Sequence, residues 1–206
     1  MPLKFDKKDL ADIAAAQDAG GDIWNNEVLK RVKRKIKYYL LAVPAAQCCY
    51  CARLMHGEFN MVIDIEHVLP KSLYESEMFN MENLNIACKR CNMEIKKNDV
   101  SFLVDTAQMG TDYYNSSHYY FVHPNLDEYS DHINVQIYRN ADLVLIKYSV
   151  KTEEKGNYTY KYFHLKELEI DTLNISQGLS EATILSGKIS EDLRTEIFNL
   201  LNRLES

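Results

Sequence analysis

Between Asn26 and about Val43, apolar side chains recur at steps of three and four: Leu29, Val32, Ile36, Tyr39 and Leu40 fall on one stripe. That spacing predicts an amphipathic helix, capped by Asn25 or Asn26 and closed by Pro44. Residues 1–23 are polar, and the AAAQDAGGD stretch fits a loose arm or a short helix ending near Gly20-Gly21. From about residue 101 the pattern turns to alternation. INVQIY (133–138), LVLIKYSV (143–150) and YTYKYF (158–163) read as strands, separated by RNAD and a charged turn at 151–156. The chain ends on a further helical pattern, with Ser190 as cap. Leu193, Ile197, Leu200, Leu201 and Leu204 form its apolar stripe, suited to a core or a partner surface. There is no internal repeat, low-complexity tract or long linker, and the class is α+β.

The 206 residues suit one domain, or a small core with an appendage. No apolar run approaches the ~20 residues a membrane span needs, and MPLKFDKKDLAD lacks the apolar stretch of a secretory signal. The expected setting is the reducing cytoplasm, with no membrane contact. There, five cysteines read as metal ligands or reactive thiols before disulfides. The net charge of −6 argues against nucleic acid only on average. Residues 1–100 carry 15 basic and 14 acidic side chains, whereas residues 101–206 carry 9 and 16. Lys30, Arg31, Lys33, Arg34, Lys35 and Lys37 crowd the polar sides of the first predicted helix with no acid among them. Such a run is either a solvated face or a phosphate-binding one, since attraction to a polyanion acts within a Debye length of ~8–10 Å. The acidic second half faces solvent or a protein partner.

Cys48 with Cys51, and Cys88 with Cys91, make two CxxC pairs. Two intervening residues let a tight turn aim both thiolates at one ion, and two such turns complete a closed, structural zinc site. The pairs stand 36 residues apart, so something folds between them. Cys49 is the odd cysteine and an alternative to Cys48, and His56 is a reserve ligand. Between the pairs runs MVIDIEHVLPKS, in which Asp64, Glu66 and His67 close an apolar strand that Pro70 stops. Asn92 directly follows the second pair and opens a polar helical stretch holding Lys96 and Lys97. Phosphodiester hydrolysis needs a base to deprotonate water and a hard cation to take up charge. Histidine suits the first task, and carboxylate and amide oxygens suit Mg²⁺. The plain alternative is a surface pair at a strand end.

Taken together, Cys48/Cys51, Glu66-His67-Val68-Leu69-Pro70, Asn83-Leu84, Cys88/Cys91-Asn92 and Lys96 resemble the HNH endonuclease motif in its zinc-knuckle form. The resemblance covers about 46–100 and implies a ββα-metal core with a CxxC…CxxC zinc site. Around that core lie an N-terminal arm and basic helix (1–45) and a C-terminal α+β extension (101–206), a candidate partner-docking region. It implies that His67 is the general base and that Asn83 fastens the loop that orients it. Glu66 and Asn92 would hold Mg²⁺ or Mn²⁺, with Asp64 as an outer or alternative ligand. Lys96 or Lys97 would contact phosphate, although the family's lysine usually stands nearer the asparagine and before a glycine. Lys30, Arg31, Lys33, Arg34 and Lys37 would add contacts to the DNA backbone.

A longer resemblance joins the basic helix, the CxYC and EHxxPKS strings, HPNLDEYSDHI and an Asp-Thr-Leu-Asn segment at 171–174. These look like the HNH nuclease subunits of Septu-type antiphage systems, which work beside an ABC-type ATPase subunit. The expected function is therefore metal-dependent DNA cleavage in phage defence, alone or only with the ATPase. The rival is a non-catalytic zinc-knuckle module that binds nucleic acid or protein. Tyr113, Tyr114, Tyr119, Tyr120 and Phe121 read as core aromatics before base-stacking ones. His118, His123, His132 and His164 read as structural or exposed.

Overall fold

The structure is a computed structural model describing residues 3–43, 46–55, 57–140 and 143–169. Pro44, His56, the 171–174 segment and the Ser190-capped stripe lie outside the described residues. Helix α1 (Lys7–Ala19) forms because Asp6 and Asp9 cap it reciprocally: Asp6 accepts the Asp9 N–H at 2.8 Å, and Asp9 accepts the Asp6 N–H at 2.9 Å. It stops at Gly20, whose φ of 65° suits a residue without Cβ. Two 3₁₀ turns, Ile23–Asn25 and Glu27–Leu29, lead into α2 (Lys30–Leu41), and Asn26 caps the second by accepting the Val28 N–H at 3.1 Å. The apolar stripe of α2 buries Val32 and Ile36 against Ile13, Ala16, Trp24 and Leu84. Removing these side chains from water is the main stabilising term here.

Strands β1 (Ile63–His67) and β2 (Leu84–Cys88) pair antiparallel, with Ile65 opposite Ile86 and His67 opposite Leu84. A π-helix, Arg90–Lys96, follows β2 at once, and the Lys97 N–H reaches the Asn92 carbonyl at 2.8 Å. Beyond it come the short helices α3 (Thr106–Met109) and α4 (Tyr129–His132). Strands β3 (Ile133–Asn140) and β4 (Leu143–Val150) make a second two-stranded sheet, and α5 (Lys155–Tyr162) follows. The chain divides into two units, Met1–Val135 with Ser149–Leu165 and Gln136–Tyr148 with Lys166–Ser206. In the second, the Tyr148 N–H donates to Glu169 at 3.1 Å. Among the described residues no helix is long and apolar enough to cross a membrane.

The alternating YTYKYF string is helical, not a strand. Tyr158 and Tyr162, four residues apart, stack at 5.6 Å, and Tyr158 stacks in turn on Tyr120 at 5.4 Å. Aromatic pairing along a helix face outweighs the period-two pattern. Phe163 then enters a buried aromatic cluster in which it stacks on Tyr50 at 4.1 Å, and Phe102 meets Phe121 at 4.3 Å. Tyr119 and Phe121 are buried in this cluster, as a core reading expects.

His123 sits beside it, fully buried. Its Nδ1 accepts the Asn125 N–H at 3.2 Å, and the Tyr119 ring meets it edge-on at 4.5 Å. Burial, helped by Lys155 and opposed by Asp127, pushes its pKa down to about 3. A depressed folded-state pKa gives stability that is present above the ordinary histidine value and is lost as pH falls through the folded one. Between about pH 7.5 and pH 5.5 this ring alone should remove ~1.4 kcal/mol of unfolding free energy. Urea titrations at both pH values should show His123→Gln losing that much less than wild type over the same interval.

Candidate metal and nucleic-acid site

The first cysteine turn is set by backbone bonds: the Cys48 N–H reaches the Arg53 carbonyl at 2.8 Å and the Ala52 N–H returns to Cys48 at 2.9 Å. Ala52 turns the chain with a φ of 54°. The Cys49 N–H binds the Ile86 carbonyl at 3.0 Å and lays this turn against β2. Cys88 is the last residue of β2, and Cys91 lies in the first turn of the π-helix, its N–H 3.5 Å from the Cys88 sulfur. The Sγ atoms of Cys48, Cys51, Cys88 and Cys91 are buried and all within 4.8 Å of one another. Cys51 and Cys88 stand 3.9 Å apart and no disulfide forms. A tetrahedron with ~2.3 Å metal–sulfur bonds has edges of ~3.8 Å, so the donor set fits Zn²⁺. Cys48, not Cys49, completes it. Burial holds the Cys49 thiol well above its ordinary pKa.

Beside this cluster opens a cleft of ≈ 720 Å³, lined by residues of α2, β1 and the π-helix. His67 lines it at the end of β1, only 7% exposed. Its Nε2 lies 3.0 Å from the Met78 carbonyl, and a carbonyl only accepts, so Nε2 carries the proton and Nδ1 keeps its lone pair. Trp24 meets the ring edge-on at 4.4 Å. Burial, then the charge of Lys71, then that of Lys96 push the ring's pKa down to about 3, so it is neutral at physiological pH. Asn83 is fully buried and fastens the loop that presents Met78. Its Oδ1 accepts the Leu69 N–H at 2.7 Å, and its Nδ2 donates to the Leu69 and Glu77 carbonyls at 3.1 Å each.

Asp64 and Asn92 also line the cleft, joined by an Asn92 Nδ2–Asp64 Oδ2 bond of 3.2 Å. Lys89 holds the other Asp64 oxygen at 3.0 Å. Glu66 does not join them. It is fully buried, with Oε1 taking Lys96 Nζ at 2.9 Å and the Tyr50 hydroxyl at 3.0 Å, while Oε2 meets no hydrogen-bond donor among the described residues. Burial raises its pKa against the pull of Lys96. Lys96 is likewise inside, 1% exposed, and its neighbour Lys97 is the one that lines the cleft.

The cations of α2 divide by face. Lys33, Arg34 and Lys37 line the cleft. Arg31 turns to α1, 2.7 Å from Asp9 and 3.4 Å from both Asp6 and Asp12. Lys35 joins it on Asp9, and Lys30 pairs with Glu27. Sequence reasoning assigned nothing to Trp24, Tyr50, Lys71 or the Met78 carbonyl. A lone tryptophan before the basic helix and the tyrosine inside the first CxxC pair were the visible signals.

The chain is similar to a Septu protein. PtuB of Bacillus thuringiensis is 27% identical to it over 151 residues, 73% of this chain and 46% of that protein. The chain thus spans less than half the length of this curated relative. No protein-family profile and no solved structure matches the chain.

Metal analysis of purified protein should return about one zinc per chain. Cys88→Ser should lower the melting temperature sharply and release the metal, because structural zinc contributes folding free energy directly. A metal-free preparation melting like wild type would reject the zinc site.

Proposed function

We propose that the chain is a metal-dependent HNH endonuclease that hydrolyses DNA phosphodiester bonds, with its ββα-metal core at 46–100. In this reading it is the cytoplasmic nuclease effector of a Septu-type antiphage system and acts with an ABC-type ATPase subunit, docked through the 101–206 extension. The similarity to a Septu protein supports the system. The observation that carries the chemistry is the setting of His67, a neutral imidazole held at Nε2 by the Met78 carbonyl, in one cleft with Asp64, Asn92 and Lys97.

His67 acts as general base through Nδ1. It takes a proton from water as the water oxygen bonds to phosphorus. The bond from phosphorus to the 3′ oxygen breaks, and that oxygen takes a proton from solvent water, leaving a 5′-phosphate and a 3′-hydroxyl; the proton on His67 returns to solvent. Asn83 keeps the Met78 carbonyl, and hence the ring, in place. Asp64 and Asn92 would hold Mg²⁺ or Mn²⁺, since an oxygen-only pair at an open cleft leaves room for the several waters such ions retain. When bound, that ion supplies charge neutralisation at the phosphate and at the departing oxygen. Glu66 stands where the family puts its acidic ligand, but with Lys96 and Tyr50 on its carboxylate the role passes to Asp64. Lys33, Arg34, Lys37 and Lys97 grip phosphates and read no bases.

The buried Glu66 also favours a second reading, a zinc-knuckle module with a degenerate site that binds nucleic acid or protein without cutting. Plasmid incubated with Mg²⁺ and the protein, alone and with its ATPase, separates the two. Under the nuclease reading it is nicked or linearised, and His67→Ala cuts at least ~100-fold more slowly. Intact plasmid in every mixture selects the module. The partition of α2 has its own test in duplex binding at several salt concentrations. Arg34→Ala should reduce the slope of log K against log salt by ~0.9. Arg31→Ala should leave that slope unchanged and lower the melting temperature instead.

A further inference from the structure

Lys96 is the most deeply buried cation next to the site, and its ammonium has three neighbours. It lies 2.9 Å from Glu66 Oε1 and 2.8 Å from the His67 backbone carbonyl, and 5.5 Å from the centre of the Phe102 ring. The first two belong to β1, whereas Lys96 closes the π-helix that carries Asn92. One charge therefore joins the strand that presents the imidazole to the helix that presents the amide. The Glu66 oxygen it meets also receives the hydroxyl of Tyr50, which sits between Cys48 and Cys51. A continuous buried chain thus runs from the four-cysteine cluster through Tyr50, Glu66 and Lys96 to the backbone of His67. No phosphate can reach an ammonium that is 1% exposed and already engaged.

We propose that Lys96 is a positioning residue: it fixes the His67 backbone relative to Asn92 and leaves contact with the nucleic-acid backbone to Lys97. The inference rests on the nuclease reading for its catalytic consequence, but not for its geometry. Burying an ion pair is costly, and removing one partner alone strands the other. The informative variant therefore removes both charges, Lys96→Met with Glu66→Gln.

Three readouts, taken on the full chain with zinc bound, compare this double variant and Lys97→Met with wild type. The first is the salt dependence of binding to a short duplex. The second is the His67 ring resonance in isotope-labelled protein. The third is the Mg²⁺-dependent cleavage rate. The double variant should keep the wild-type salt slope and shift the His67 resonance. Its kcat should fall about 100-fold at unchanged KM, the size expected when a catalytic group is misplaced by about 1 Å. Lys97→Met should lose ~0.9 of the salt slope and leave the His67 resonance in place. A double variant with an unmoved resonance or a wild-type kcat overturns the proposal, as does one that loses about one unit of slope. A Lys97→Met protein with the full wild-type slope does so too, whatever the double variant's stability. Wild-type protein that cuts nothing rejects the nuclease reading, and the resonance still decides whether Lys96 holds His67.

Discussion

The convergence of four sulfurs is the constraint on which the site depends. Four thiolates within 4.8 Å of one another repel unless a cation sits among them. Once it does, the turn at 48–51, the end of β2 and the start of the π-helix are fixed together. Asn92 is the residue directly after the last sulfur ligand, so its position follows from the cluster and not from packing alone. Tyr50 extends the same constraint inward, because a side chain inside the first turn reaches the carboxylate on β1. The cluster does more than compensate for a small core: it sets the end of β2 and the start of the π-helix against the 48–51 turn.

The pairing of strand and helix follows from their periods. Asp64 and Glu66 lie on one face of β1, two residues and about 6.6 Å apart. Asn92 and Lys96 lie about one turn apart on the π-helix and so sit one above the other along it. Once Asn92 bonds to Asp64, Lys96 is brought opposite Glu66, and both are drawn from the cleft into the interior. Among the described residues Oε2 of Glu66 meets no hydrogen-bond donor, so the pair leaves one carboxylate oxygen unsatisfied there. Such a buried charge pair adds little net stability but penalises any slip in register, since a slip would leave each charge unpaired.

The cysteine spacing and the amphipathic basic helix were legible in the sequence because each is a local pattern whose geometry follows from its period. The choice between neighbours was not. Lys96 and Lys97, or Glu66 and Asp64, are chemically alike and adjacent or nearly so, and their fates depend on which face of the helix meets which face of the strand. Cys48 against Cys49 was different, because the two-residue spacing to Cys51 favours Cys48 and the four-sulfur cluster contains it. The YTYKYF string misled for another reason: alternation records only which positions are apolar, and the stacking of Tyr158 on Tyr162 and Tyr120 depends on chain brought in from elsewhere.

Charge was the least legible property. A formal charge of −6 coexists with a cleft that draws lysines and an arginine from α2, from residue 71 and from residue 97. Three acids next to α2 are turned away from the cleft. Asp6, Asp9 and Asp12 face the opposite side of α2 and hold Arg31, and Lys35 joins Asp6 and Asp9. The α1 capping box contributes to this arrangement, because the carboxylates that start the helix also bind the basic side chains of α2. Acidic residues in and just before α1 thus take up the cations on one face of α2 and leave those on the other to the cleft, so a locally cationic surface needs no net positive chain.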